Sequence, residues 1–287
     1  MQYIWEAFTA TISQVMTIIG PGLALAFAMH YVAGLARRRM GMASDIWLTG
    51  WIGTPIHELG HAVFCVIFGH RITEIQLFQT NSEDGELGYV NHSFNPNSIY
   101  HQIGNFFIGI GPILLGTCAV FVLSYLLLNV NVSNAGGLRI ASSDLGSWNA
   151  FTQMIGNLWQ SSSALFAEIF SWHNLASWQV YVFLYFVFAI GSHISLSPSD
   201  IKGASTGFGA ILGALFSFNL ATGWIGDFTS NVVTALASYL GTFYAIMLLA
   251  LLLNIAVAGL FLLLPPLVLA AARTARETYK NLRHDQT

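Results

Sequence analysis

Charged side chains are scarce in this chain. Asp, Glu, Lys and Arg together make up 8% of its 287 residues, while 55% are hydrophobic; a typical soluble domain carries about 25% charged residues. A surface so poor in charge cannot be solvated all round, so the composition predicts an integral, multi-pass membrane protein. The net charge of −3 and the confinement of basic residues to short clusters give no footing for nucleic-acid binding. Cysteine is nearly absent. Cys65 and Cys118 both lie in apolar runs, where buried thiols are expected and a disulfide is not. The first residues, Met1-Gln2-Tyr3-Ile4-Trp5, lack a basic stretch, which favours a retained first helix over a cleaved signal peptide.

Against this background one cluster of ionisable groups stands out: His57-Glu58-Leu59-Gly60-His61, inside the apolar run from Ile46 to Gly69. Such a run can cross a bilayer, and at about 1.5 Å per residue His57 falls roughly 17 Å along it, near the midplane of a hydrocarbon core about 30 Å thick. Ionisable groups at that depth mark a functional site by default. On a helix, residues four apart share a face, so the imidazoles of His57 and His61 reach one ion while Glu58 stands beside them as a general base. Two imidazoles, a third protein ligand and an open position make a zinc hydrolase site, with one Zn²⁺ expected per chain.

The rest of the chain arranges itself around that helix. A first span is expected from Trp5 to Ala36, kinked at Gly20-Pro21-Gly22, and Arg37-Arg38-Arg39 places the following loop in the cytoplasm. Gly53-Thr54-Pro55, just ahead of His57, is expected to loosen its turn and admit water or substrate. Residues Ile72 to Phe94 read as a β-hairpin turning at Asn81 to Gly85; His92 and His101, in or after it, read as loop histidines with no metal role. Further spans are expected from Ile103 to Val130, Val180 to Leu196, Gly203 to Ala221 and Val232 to Leu264. Residues 146–172 read as amphipathic helices on the membrane surface. The tail with Arg273, Arg276, Lys280 and Arg283 reads as a basic cytoplasmic helix. The expected fold is therefore an all-α polytopic membrane protein of about six transmembrane helices with a small membrane-associated β-hairpin. It divides at 1–42 (first span and basic loop), 43–203 (metal-bearing core) and 204–287 (C-terminal helices and tail).

Two side chains compete for the third ligand position. His193 lies within an apolar span, whereas Asp200 follows Pro198 at a break, Ser197-Pro198-Ser199-Asp200-Ile201-Lys202-Gly203, where irregular backbone can line a polar cavity. A carboxylate also offsets part of the ion's charge. Asp200 is the expected ligand, and His193 the expected substrate-contacting group.

In order and content these segments resemble the site-2 protease family of intramembrane zinc metalloproteases, over about Trp47 to Gly203. The resemblance rests on His57-Glu58-Leu59-Gly60-His61, the hairpin, Gly111-Pro112 and the Asp200 segment. The chain departs from the family at Ser199-Asp200-Ile201-Lys202-Gly203, where the family has Leu-Asp-Gly-Gly, and at Leu114-Leu115, where it has an asparagine. The resemblance implies a zinc endopeptidase that cuts a transmembrane protein or peptide within or beside the lipid bilayer, Glu58 being catalytic. The expected setting is a bacterial cytoplasmic membrane. The competing expectation is a non-catalytic zinc-binding or metal-transport membrane protein, for which paired broken helices in two repeated halves would speak; no such repeat is visible.

Overall fold

The structure, a computed structural model, describes residues 1–80, 86–128, 148–225 and 228–263. The hairpin turn at 81–85, Arg139, Asp144, Pro265-Pro266 and the basic residues of the tail lie outside the described residues.

The described residues form helices and one small sheet, joined by short links. Helix α1 (Gln2–Ile18) and α2 (Gly20–Met40) form one apolar rod bent by 43°. The bend falls where expected, since Pro21 in the first turn of α2 has no N–H to continue the ladder of α1. After the short α3 (Met42–Asp45) the chain runs through a π-helical turn, Ile46–Gly50, into α4 (Trp51–Ile67), which carries the His57–His61 pair and has Pro55 inside it. The wide turn ahead of that proline is tied down from outside, by the Tyr185 hydroxyl donating to the carbonyl of Leu48 at 2.7 Å. Strands β1 (Arg71–Gln76) and β2 (Tyr89–Ser93) pair antiparallel, with an irregularity between Ile72 and Glu74.

Two helices stand where one span was expected after the hairpin. Helix α5 (Ile99–Gly109) stops at Ile110, and α6 (Gly111–Leu128) starts afresh with Pro112 in its first turn. The break lets α5 turn aside and pack along a later helix. Then follow α7 (Trp148–Ile169), α8 (Trp172–Leu175), α9 (Trp178–His193), α10 (Pro198–Thr222), a single 3₁₀ turn (Gly223–Ile225) and α11 (Phe228–Leu263). The amphipathic segment is thus one long helix and one short one, with Trp159, Trp172 and Trp178 exposed.

Helix α9 is the centre of the molecule. Val180, Phe183, Val187, Ala189 and Ile190 are fully buried among side chains of α11 such as Ala245 and Met247, and α4, α6 and α2 also pack on it. Helix α4 lies against α6 at Gly60, where a Cβ would come 2.6 Å from the backbone of Gly111 and Pro112; only glycine allows that approach. The motif helix is thereby held backbone to backbone.

The described helices include three long and apolar enough to cross a membrane, Gly111–Leu128, Pro198–Ile225 and Leu240–Leu260, and a fourth if the bent α1–α2 pair is one span. This is compatible with an all-α membrane fold. It falls short of six: α9 has 16 residues, and the motif run is divided into a π-turn and a 17-residue α-helix.

Candidate metal centre

The rings of His57 and His61 are fixed by backbone carbonyls. His57 Nδ1 donates to the carbonyl of His193 at 2.7 Å, and His61 Nδ1 to that of Ile108 at 2.8 Å. A carbonyl oxygen only accepts, so each ring carries a proton on Nδ1, and in its neutral form leaves Nε2 free to bind an ion. The two Nε2 atoms lie 3.2 Å apart. Asp200 closes the group, with Oδ1 3.2 Å from His61 Nε2 and Oδ2 3.5 Å from His57 Nε2.

These separations suit an ion better than direct pairing. Charge-assisted N–H···O bonds run to about 2.7–2.9 Å, and two bare imidazole nitrogens have no proton to share. A tetrahedral ion with bonds of about 2.0–2.2 Å sets its ligand atoms about 3.3–3.5 Å apart, close to the spacing found. His57, His61 and Asp200 can hold a metal ion, and they form the one such group among the described residues. The carbonyl partners of both Nδ1 atoms supply the orienting contacts that metal-ligating histidines require.

Asp200 reaches the group in a different way from that expected. It is the third residue of α10 and belongs to a capping box: Ser197 Oγ accepts from its backbone N–H at 3.2 Å, and its own Oδ2 accepts from the N–H of Ser197 at 2.7 Å. The irregular backbone is confined to the link between α9 and α10, and the carboxylate is aimed by a regular helix end. Gly109 brings that end close, because a Cβ there would meet the Asp200 carbonyl at 2.6 Å. Helix α5 therefore orients His61 through Ile108 and seats Asp200 one residue further on.

Glu58 points into the same space and takes no part in the triad. It is 6% exposed and makes no hydrogen bond or ion pair among the described residues. Beside it passes Gly88, where a Cβ would lie 2.8 Å from Glu58 Cγ. Glu58, His57, His61 and Asp200 line a cavity of about 990 Å³ whose wall also includes the run from Glu86 through His92 and, on α5, the buried Asn105.

His193 is near but separate. Its carbonyl holds His57, and its Nε2 lies 3.7 Å from Oδ2 of the buried Asp45, which Arg37 reaches at 2.9 Å. Arg37 thus anchors the start of the motif helix as well as carrying charge in its loop. Of Gly53-Thr54-Pro55, Thr54 lines the cavity; Gly53 instead abuts α9, where a Cβ would fall 2.4 Å from the Ala189 carbonyl.

His92 and His101, read from the sequence as loop histidines, form a second cluster with His70. His70 Nδ1 lies 3.1 Å from His92 Nδ1, His70 Nε2 donates to the His101 carbonyl at 3.0 Å, and His70 stacks on Phe94. Burial holds the imidazoles of His70 and His92 below the ordinary histidine pKa. Asp45, Asn105 and this cluster were missed by sequence reasoning; only the hairpin, which brings His92 back toward His70, hinted at any of them.

Comparison with protein-family models, with curated proteins and with solved structures gives no match to this chain.

Proposed function

We propose that the protein is an intramembrane zinc endopeptidase, hydrolysing peptide bonds in or near transmembrane segments of other proteins. The observation that carries this reading is the convergence of the Nε2 atoms of His57 and His61 with the Asp200 carboxylate, beside a buried Glu58 that makes no hydrogen bond or ion pair among the described residues. His57, His61 and Asp200 would hold the ion. A zinc ion there supplies Lewis-acid polarisation of the scissile carbonyl and makes water a competent nucleophile near neutral pH.

The remaining work falls to the chain's own groups. Glu58 takes a proton from the attacking water and delivers it to the leaving amine nitrogen as the C–N bond breaks, so that one water is consumed and a carboxylic acid and an amine are released. Among the described residues strand β2 pairs with β1 alone, and its residues Tyr89 to His92 line the cavity. An unwound substrate segment added as a strand along it would have its backbone extended beside Glu58. The uncommitted carboxylate next to the ligand triad favours hydrolysis over metal storage or transport.

The test is metal analysis of the purified protein together with cleavage of a panel of membrane-inserted peptides. Wild type should contain zinc and cleave; Glu58→Gln should keep its zinc and lose cleavage by roughly 10²–10⁴-fold. Undiminished cleavage by the variant removes Glu58 from the chemistry. Bound zinc with no cleavage by wild type transfers the assignment to a non-catalytic metal-binding protein.

A further inference from the structure

The second histidine cluster leaves one nitrogen with nothing to bind. His70 Nε2 faces a carbonyl, that of His101 at 3.0 Å, and so must carry the proton. In a neutral ring its Nδ1 is then an acceptor, and the atom facing it at 3.1 Å, His92 Nδ1, must be the donor. That commits the proton of His92 to Nδ1 and leaves its Nε2 bare. The ring of His70 is not free to change this, since Phe94 stacks on it at 5.0 Å between centroids and 13° between planes. The His101 ring lies beside that of His70, centroids 5.2 Å apart, and its Nδ1 accepts from the backbone N–H of Asn95 at 3.1 Å.

His92 lines the cavity that contains Glu58, and no described residue donates to its Nε2. It stands on β2, the strand whose residues form one wall of that cavity. An acceptor fixed in one tautomer on such a wall is matched by a group that every peptide carries whatever its sequence, the backbone N–H.

We propose that His92 is a substrate-binding residue whose Nε2 accepts a hydrogen bond from a backbone N–H of the peptide being cut, and that His70 is the positioning residue that keeps His92 in the accepting tautomer. The assignment of the donor to a peptide rests on the proteolytic reading; the tautomer assignment does not. Burial of both rings favours their neutral forms, in keeping with an accepting role. No hydrogen bond or ion pair joins His92 to the ligand triad among the described residues, though the charge of His61 acts on its ring, and the contribution assigned to it is to holding substrate.

Two measurements test this on the purified full-length protein. In long-range ¹H–¹⁵N correlation spectra of histidine-labelled protein, the His92 signals, identified by their loss in His92→Phe, should show a protonated Nδ1 and a bare Nε2, and His70→Phe should convert them to a tautomer mixture. In peptide cleavage, His92→Phe should raise KM about tenfold, the size of one lost hydrogen bond, with kcat and zinc content little changed. His92→Gln, whose amide oxygen can accept, should recover much of the loss, and His70→Phe should raise KM by less than His92→Phe. A His92 proton found on Nε2 in wild type overturns the proposal whatever the activity. An unchanged KM in His92→Phe, in an enzyme that cleaves, overturns it while the proteolytic reading stands. If wild type cleaves none of the peptides, the proteolytic reading fails and takes the substrate role of His92 with it, even where the tautomer is as assigned.

Discussion

The Nε2 atoms of His57 and His61 face each other across 3.2 Å, and with each Nδ1 proton given to a backbone carbonyl the neutral rings turn two lone pairs together. Two lone pairs so placed repel, and a cation between them and Asp200 removes the conflict. Because Asp200 belongs both to the group that can hold an ion and to the α10 capping box, its two duties can be separated. Asp200→Asn keeps an oxygen for the cap and should lose most bound zinc with the fold retained. Asp200→Ala should lose the zinc and, with its half of the cap, about 1 kcal/mol of stability as well. His193→Ala, which leaves the backbone carbonyl that holds His57, should keep its zinc. Metal analysis and thermal unfolding of the three purified variants check this; zinc lost from His193→Ala and retained in Asp200→Asn would reverse the ligand assignment.

Some of this site was legible before any coordinates. The i, i+4 spacing of His57 and His61 is a property of the helix and was read from it directly. Asp200 was found through Pro198, but for an incomplete reason: Ser197-Pro198-Ser199-Asp200 also spells a capping box, a regular helix start and not irregular backbone. The groups that fix the imidazoles could not be read, because they are the carbonyls of His193 and Ile108 and a carbonyl leaves no mark in residue identity. His70 and His92 are 22 positions apart, and their meeting depends on the hairpin register, including its irregularity between Ile72 and Glu74. The apolar run from Ile103 hid a break at Ile110 because hydropathy alone does not report a change of helix direction.

Access of water to the cavity can be probed at Thr54. Its Oγ1 is buried and makes no hydrogen bond, and the residue lines the cavity together with Arg37. Thr54→Cys should react with a small hydrophilic thiol reagent applied to the face of the membrane that carries Arg37. Cys118 is exposed and must first be replaced, while Cys65 is fully buried and can remain. Labelling solely from the opposite face would place the water path elsewhere.

The α4–α6 contact gives a stability prediction. At Gly60 an added Cβ meets backbone at 2.6 Å, whereas at Gly209 on α10 it meets nothing within 4 Å. Gly60→Val should therefore cost about 1–3 kcal/mol or prevent folding, and Gly209→Ala should cost nothing, the helix interior favouring alanine over glycine. Thermal unfolding in detergent distinguishes them, and equal midpoints for the two variants would remove the special role of the crossing.

A pH effect is expected in the hairpin. His70 and His92 have folded-state pKa values below the unfolded value near 6.5, so the folded state binds fewer protons than the unfolded one. Their contribution to stability is present above pH 6.5 and is lost as pH falls through the lower folded values. Hydrogen exchange of the β1 and β2 amides should therefore show faster local opening at pH 5.5 than at pH 7.5, after correction for intrinsic exchange rates. A His70→Phe, His92→Phe protein should lack that dependence.

Helix α10 is held both where it carries Asp200 and at its far end. Near the site, Gly109 lies against the Asp200 carbonyl and Ala204, and Gly207 against the backbone of Gln102 and Phe106, while Asn219 stands about 28 Å from Asp200 along the helix. There the Asn219 amide nitrogen donates to Thr11 Oγ1 and Gln14 Oε1, each at 2.9 Å. The turns from Asp200 to Gly207 are clamped along α5, so displacement at the far tether is taken up in the helix between them. A helix with most of its length outside the protein interior can thus move with its surroundings while its ligand stays in register.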